Sequence, residues 1–406
     1  MSAIASYRAL LRIVGPAYIL VAFLGRIPLA MSQLGVLVLV STTTGSYGVG
    51  GAAAGILAVA NAIGSPVAGA LADRIGQRPV VLAQSIGGAL GLTAVVVVTD
   101  PGASNGVIFV AAALAGLAIP QVGPLARVRW RPITREEGDQ RRLVDAAFSY
   151  EGAADEASFV LGPAMIGVLA IVAEPAGALL AAAALLAVFG SWFAVHPTSV
   201  LVARRTSADA VGTGALWTGA FIVLVGAQLC IGMIFGSVQT GTTVLATAEG
   251  HAGMAGLIHA VLGIGSVIAG LAVTGLPERV LYATRMLVAA LGLLGLSSPL
   301  LLVDSIASLI GVIALLGFAV APYMISNFAL AGILVPLHRV SAAMTLLAGA
   351  TGIGYALGAS IAGRLADDGG GHTPAFAVTV SSAGLAVLLA IGANRLLREA
   401  RPVGAV

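Results

Sequence analysis

Five ionisable residues lie inside long apolar runs of this chain: Arg26, Glu151, Asp155, Glu156 and His259. Charged groups in such surroundings cost about 2.5–3.5 kcal/mol each on insertion scales, so they are held in place by a task or by a partner. Glu151 and Asp155 are four residues apart and share one face of a helix. A carboxylate there can exchange a proton or a cation for a guanidinium, or it can form a permanent ion pair that orders the surrounding helices. Both readings stand at this level. Glu156 points elsewhere and is expected near the membrane interface. His259 is expected to be a hydrogen-bonded packing residue. Covalent chemistry has no comparable signal, since the chain lacks an H-E-x-x-H pair, a G-x-S-x-G elbow, a phosphate loop and a metal-ligand cluster. The lone Cys230 sits in an apolar run, which excludes an intrachain disulfide and points to packing. Neither an enzyme nor a cofactor is expected.

The elements that hold these groups follow from the apolar runs. The chain is 59% hydrophobic and 9% charged, against about 25% charged in soluble domains. Runs long enough to cross about 30 Å of hydrocarbon cover residues 13–40, 47–71, 79–98, 107–128, 143–172 and 176–195. After a polar gap they resume at 216–240, 253–275, 281–303, 306–335, 341–366 and 374–397. Backbone groups facing lipid must bond within their own segment, so these are helices. The expected fold is an all-α integral membrane protein with twelve spans. All basic residues besides histidine are arginine, and with the N-terminus inside every one except Arg26 and Arg364 falls in an inner loop. Asp100, Glu174, Glu249, Asp304, Asp367 and Asp368 fall outside. This asymmetry predicts cytoplasmic termini in a plasma membrane. It also explains the net charge of +3 without nucleic acid. The abundance of Ala, Gly, Val and Arg suggests a bacterial source. The first run is too long for a cleaved signal peptide and is read as a retained helix.

The two halves repeat. GILAVANAIGSPVAGAL at 55–71 aligns with GLIHAVLGIGSVIAGLA at 256–272, and at the same offset Gly116-Leu117-Ala118 meets Gly317-Phe318-Ala319. SFVLGPAMIG at 158–167 aligns with GYALGASIAG at 354–363. Each segment meets its counterpart six spans later, so the repeats are parallel. The expected division is a six-helix bundle at 1–195, a cytoplasmic linker at 196–213 containing Arg204, Arg205 and Asp209, and a second bundle at 214–406. Gly51/Gly55 and Gly354/Gly358 are spaced to let helix backbones approach.

The loop after the second span reads Gly69-Ala-Leu-Ala-Asp73-Arg74-Ile-Gly76-Gln-Arg78. It resembles the G-x-L-a-D-r-x-G-r-k signature of the major facilitator superfamily, and only Gln77 departs from it. With twelve spans and a duplication, the resemblance covers the whole chain and suggests the bacterial drug-efflux-like branch. It implies that Asp73 caps the eleventh helix near Ser341. Arg74 and Arg78 could then pair with acids such as Asp145, holding the inner side shut. Gly162, Pro163 and Gly167 on the fifth span resemble part of the family's antiporter signature, with Ser158 and Ile166 where glycine is usual. The family's buried arginine of the fourth span has no match; Ile119 stands in its slot before Gly123.

The resemblance also places the first and fifth spans side by side. The depths of Arg26 and Asp155, counted from Ser41 and Glu174, differ by about 6 Å at 1.5 Å per residue. An Arg26–Asp155 pair is therefore expected, with Glu151 one turn below. The first, fourth, seventh and tenth spans would line a central cavity. Candidate substrate-binding residues are Arg26, Gln33, Gln121, Gln228, Phe235, Gln239, Tyr323 and Asn327, with Tyr355 and Met233 adding surface. Asp155, Glu151 and Glu156 are candidate proton-coupling residues. Such a cavity suits a moderately apolar or weakly cationic molecule. The implied function is a secondary transporter, monomeric, exporting small drug-like or metabolite-like molecules by proton antiport. An importer of a small polar solute and a non-transporting sensor are the alternatives.

Overall fold

The computed structural model describes residues 3–45, 47–100, 102, 104–202, 215–251, 254–277, 279–369 and 371–399. Most of the expected linker, with Arg204, Arg205 and Asp209, lies outside them, as does Arg401. Twelve helices among the described residues are long and apolar enough to cross a membrane. Their boundaries shift from the apolar runs where polar residues are carried inside. The first helix runs Ala3–Thr44 and bends at Gly15, whose φ of 75° favours glycine, just before Pro16. The fifth runs Gln140–Val172, and the sixth contains a π turn at Leu186–Gly190.

The fourth span departs most from its predicted limits of 107–128. It is two helices, Asn105–Ala118 and Val122–Ile133, separated at Ile119, Pro120 and Gln121. Pro120 has no N–H and drives Ile119 out of the helical region, to ψ 122°. The exposed carbonyls need donors at this depth. Asn61 on the second span supplies them, donating from Nδ2 to Gly116 O at 2.9 Å and Ile119 O at 2.7 Å. Its Oδ1 accepts from Gln121 at 2.7 Å. Gln121 is thus part of the break.

Glycines set the closest helix approaches. A side chain at Gly116 would strike the Leu57 carbonyl, and one at Gly317 would strike that of Leu262, so the second–fourth contact recurs between the eighth and tenth spans. Gly354 and Gly358 lie against the carbonyls of Leu229 and Met233. Gly51 and Gly55 do not behave as expected: a Cβ on either would meet nothing within 4 Å. They face open space, not a neighbouring helix.

Candidate functional site: a buried ion cluster beside a contact between the two halves

Gly162 lets the fifth span press on the first, where its Cβ would lie 2.6 Å from that of Ala30. One turn from Ala30 and two from Gly162, toward the termini end, this closeness brings Arg26 to both carboxylates. Arg26 Nη1 donates to Asp155 Oδ1 at 2.9 Å, and Nη2 to Glu151 Oε2 at 2.5 Å. Nε donates to the carbonyl of Ala22. The expected pair is present, and Glu151 joins it. Glu151 is fully buried, and its Oε1 accepts from Trp130 Nε1 at 2.7 Å.

A second cation completes the cluster. Arg127 Nη1 donates to Asp155 Oδ2 at 2.7 Å, with the Arg127 side chain 1% exposed. This corrects the sequence reading, in which Arg127 and Arg129 belonged to an inner loop. The fourth span continues through both after its break at Pro120 and carries them indoors. The spacing Gly123–Arg127 was the available signal: Gly123 sits directly against the Asp155 carboxylate, where no side chain would fit. The first turn of the helix Val122–Ile133 therefore approaches an anion. Arg129 has a different setting. It bonds Gln77, the Phe193 carbonyl and Thr198 and lies over the Phe193 ring, which ties the fourth span to the third and sixth.

The four charges cancel: Arg26 and Arg127 against Glu151 and Asp155. Of the four, Asp155 alone reaches noticeable exposure, at 18%. It bridges two guanidiniums from two spans. Arg127 also lies over the ring of Phe328 on the tenth span, 4.3 Å from its centroid. Through Arg127 the cluster touches the second half of the chain.

Below the cluster, at the end carrying both termini, the halves are locked. The Asp73 carboxylate accepts from the backbone N–H of Ser341 at 3.0 Å and of Ala342 at 2.9 Å, capping the eleventh helix as expected. Gly69 lies against Ser341 and Thr345, and Gly349 against the Ala62 carbonyl. Past Ala62 the second span faces the open space at Gly55 and Gly51. Arg74 and Arg78 do not reach Asp145. Both are exposed, with no ion pair among the described residues. Asp145 instead accepts from Tyr282 and, at 3.5 Å, from Arg285 of the ninth span. Gly76 has φ 95°, and Gln77 opens the third helix.

The expected cavity residues divide. Gln228, Tyr323 and Asn327 are fully buried and bond within the second half: Asn327 donates to Gln228 at 2.7 Å, and Tyr323 to the Ala227 carbonyl at 3.1 Å. Gln33 is exposed and Phe235 half-buried. Tyr355 donates to Gln239 at 2.5 Å on the accessible side. Glu156 is buried near Ser266 of the eighth span and not at the interface. His259 Nδ1 has no hydrogen-bond partner among the described residues, which departs from the hydrogen-bonded role expected of this residue.

A family model of the Major Facilitator Superfamily matches residues 14–300, more than half of the chain. The chain belongs to the major facilitator superfamily. Solved structures agree in fold. A bacterial homologue of the iron transporter ferroportin, in an outward-facing state, superposes with a TM-score of 0.72 at 18% identity, covering 93% of this chain and 98% of that one. The human organic anion transporter MFSD10 gives 0.70 at 18%, covering 94% and 98%. The fucose:proton symporter of E. coli gives 0.65 at 14%, covering 94% and 99%. No curated protein matches the sequence significantly. The protein is therefore a multi-pass membrane transporter of the major facilitator superfamily, and not an enzyme.

Proposed function

We propose that this transporter exports small drug-like or metabolite-like molecules by proton antiport, with both termini cytoplasmic in a bacterial plasma membrane. Two six-helix bundles, 1–195 and 214–406, rock about a central cavity, and the chain works as a monomer. The observation that carries the reading is the placement of Asp155, partly exposed and shared between Arg26 and Arg127. Protonating it removes one of two anions and leaves the cluster with one excess positive charge. Arg127 then loses its one carboxylate partner among the described residues, and its contact with Phe328 passes that change to the opposite half. Glu151, bonded by Trp130 and Arg26, is the fixed anion. Glu156, buried between the fifth and eighth spans, is a second proton site at the junction of the halves.

A cycle follows from this proposal. In the state with Asp155 ionised, Asp73 keeps the termini end shut and the opposite side takes up a proton and releases substrate; the Asp73 cap and the space beside Gly51 and Gly55 support this reading. Gln33, Phe235, Gln239 and Tyr355 present a surface of few charges, suited to a moderately apolar or weakly cationic molecule.

Two measurements test this. Cells with and without the gene are compared for accumulation of dyes and antibiotics, and accumulation should fall when the gene is present. A rise would mean import, and an unchanged panel would remove broad export. In liposomes, a pH gradient should drive flux in wild type and not in Asp155→Asn. Unchanged proton-dependent flux in that variant would remove the coupling role.

A further inference from the structure

Beside the gate, on the outer surface of the bundle, lies an apolar cleft of about 690 Å³. Its walls are Leu11, Leu20 and Phe23 of the first helix and Leu271 of the eighth span, and its floor is Ala154 and Ala157 of the fifth. Small side chains on the floor and leucines at the rim leave a furrow between the halves. Beyond the break at Gly15, Pro16 to Phe23 covers roughly 10 Å of helix, within the ~15 Å of one hydrocarbon leaflet. At the termini end the bend at Gly15 swings residues 3–14 toward the eighth span. There Tyr7 donates to the Leu271 carbonyl at 2.9 Å and bonds Thr274 at 2.7 Å. On this segment Arg8 and Arg12 are exposed, one turn apart on the same side, with Leu11 between them entering the cleft.

We propose that this cleft holds part of one acyl chain of an anionic phospholipid, with Arg8 and Arg12 beside its net-negative headgroup. An apolar furrow with two adjacent exposed cations near its end fits an anionic headgroup over a hydrocarbon tail. A zwitterionic lipid could fill the furrow, but its own headgroup cation would be repelled by the arginines. Basic residues near a membrane surface contribute about 1 kcal/mol each toward anionic lipid, or roughly fivefold in affinity per arginine. The cleft has walls from both halves, and the Tyr7 bonds to Leu271 and Thr274 join the same two segments beside it.

The test uses the purified full-length transporter in detergent. Binding of 1-palmitoyl-2-oleoyl phosphatidylglycerol and of the matching phosphatidylcholine is titrated by native mass spectrometry. Wild type should prefer phosphatidylglycerol by about 25-fold. R8Q/R12Q should bind both lipids alike, and Ala157→Leu, which fills the floor, should weaken both. Equal binding of the two lipids by wild type, or an undiminished preference in R8Q/R12Q, overturns the proposal. Should either variant fail to fold, photoactivatable phosphatidylglycerol on wild type decides: label on 11–23 and 150–157 supports the site, and label elsewhere overturns it.

Discussion

Replacing Asp155 with asparagine changes one atom and unbalances four charges. The carboxylate accepts from Arg26 at 2.9 Å and from Arg127 at 2.7 Å, one oxygen to each. Asparagine keeps a single acceptor oxygen, so its NH2 must face one of the two guanidiniums, donor against donor. Arg26 retains Glu151, but among the described residues Arg127 retains nothing charged, and its Nε and Nη2 already lack partners there. Stranding a buried charge costs about 3–5 kcal/mol. The 18% exposure of Asp155 admits some water, which puts the expected loss near ~3 kcal/mol. Removing the stranded cation as well, in R127Q/D155N, leaves Arg26 and Glu151 as a neutral pair. The double variant should therefore be more stable than Asp155→Asn alone by about 1–2 kcal/mol, and because R127Q alone leaves one carboxylate uncompensated, the coupling across the cycle should exceed that difference. SDS-driven unfolding followed by tryptophan fluorescence reads this directly, since Trp130 touches the cluster. If the two single losses simply add in the double variant, Arg127 and Asp155 are not coupled and the cluster argument is wrong.

Three further perturbations probe the gate and the cluster. Asp73→Asn keeps one of the two cap bonds to Ser341 and Ala342, and the weakened N-cap should cost about 1 kcal/mol, roughly a fivefold loss of gate-closed population. Transport should fall while membrane insertion stays normal, and full activity would rule out the latch. Gly69→Ala places a Cβ 2.7 Å from the Ser341 carbonyl, which cannot move without dislodging the eleventh helix. Spin labels at the exposed Arg74 and Leu337 should report a longer distance than in wild type, and an unchanged distribution would contradict the contact. Trp130→Phe removes the fully buried donor to Glu151, which should cost about 2–4 kcal/mol from a bond to a charged group plus a small void. Wild-type stability in that variant would mean that Glu151 is held by Arg26 alone.

What was legible in the sequence was whatever depends on a local run or a local motif. Apolar runs of bilayer length gave twelve helices because unpaired backbone cannot face lipid. The loop around Asp73 was legible as a cap because a carboxylate suits a helix N-terminus and the family resemblance pointed to the eleventh helix. Arg26 and Asp155 could be paired in advance because the family resemblance sets their spans side by side and a fixed rise per residue sets their depths.

What the sequence hid depends on how segments end and which way they turn. Arg127 and Arg129 look like loop arginines until Pro120 breaks the fourth span and Asn61 heals it, carrying the second piece inward. Gln228, Tyr323 and Asn327 share helical faces, yet a face can turn to a neighbour as easily as to a cavity, and here it turns to a neighbour. Gly51 and Gly55 carry the same spacing as Gly354 and Gly358, but only the latter pair meets a backbone. Periodicity fixes which residues travel together along a helix. Only packing decides what they meet, because rotation about each helix axis is set by the sum of contacts from distant spans.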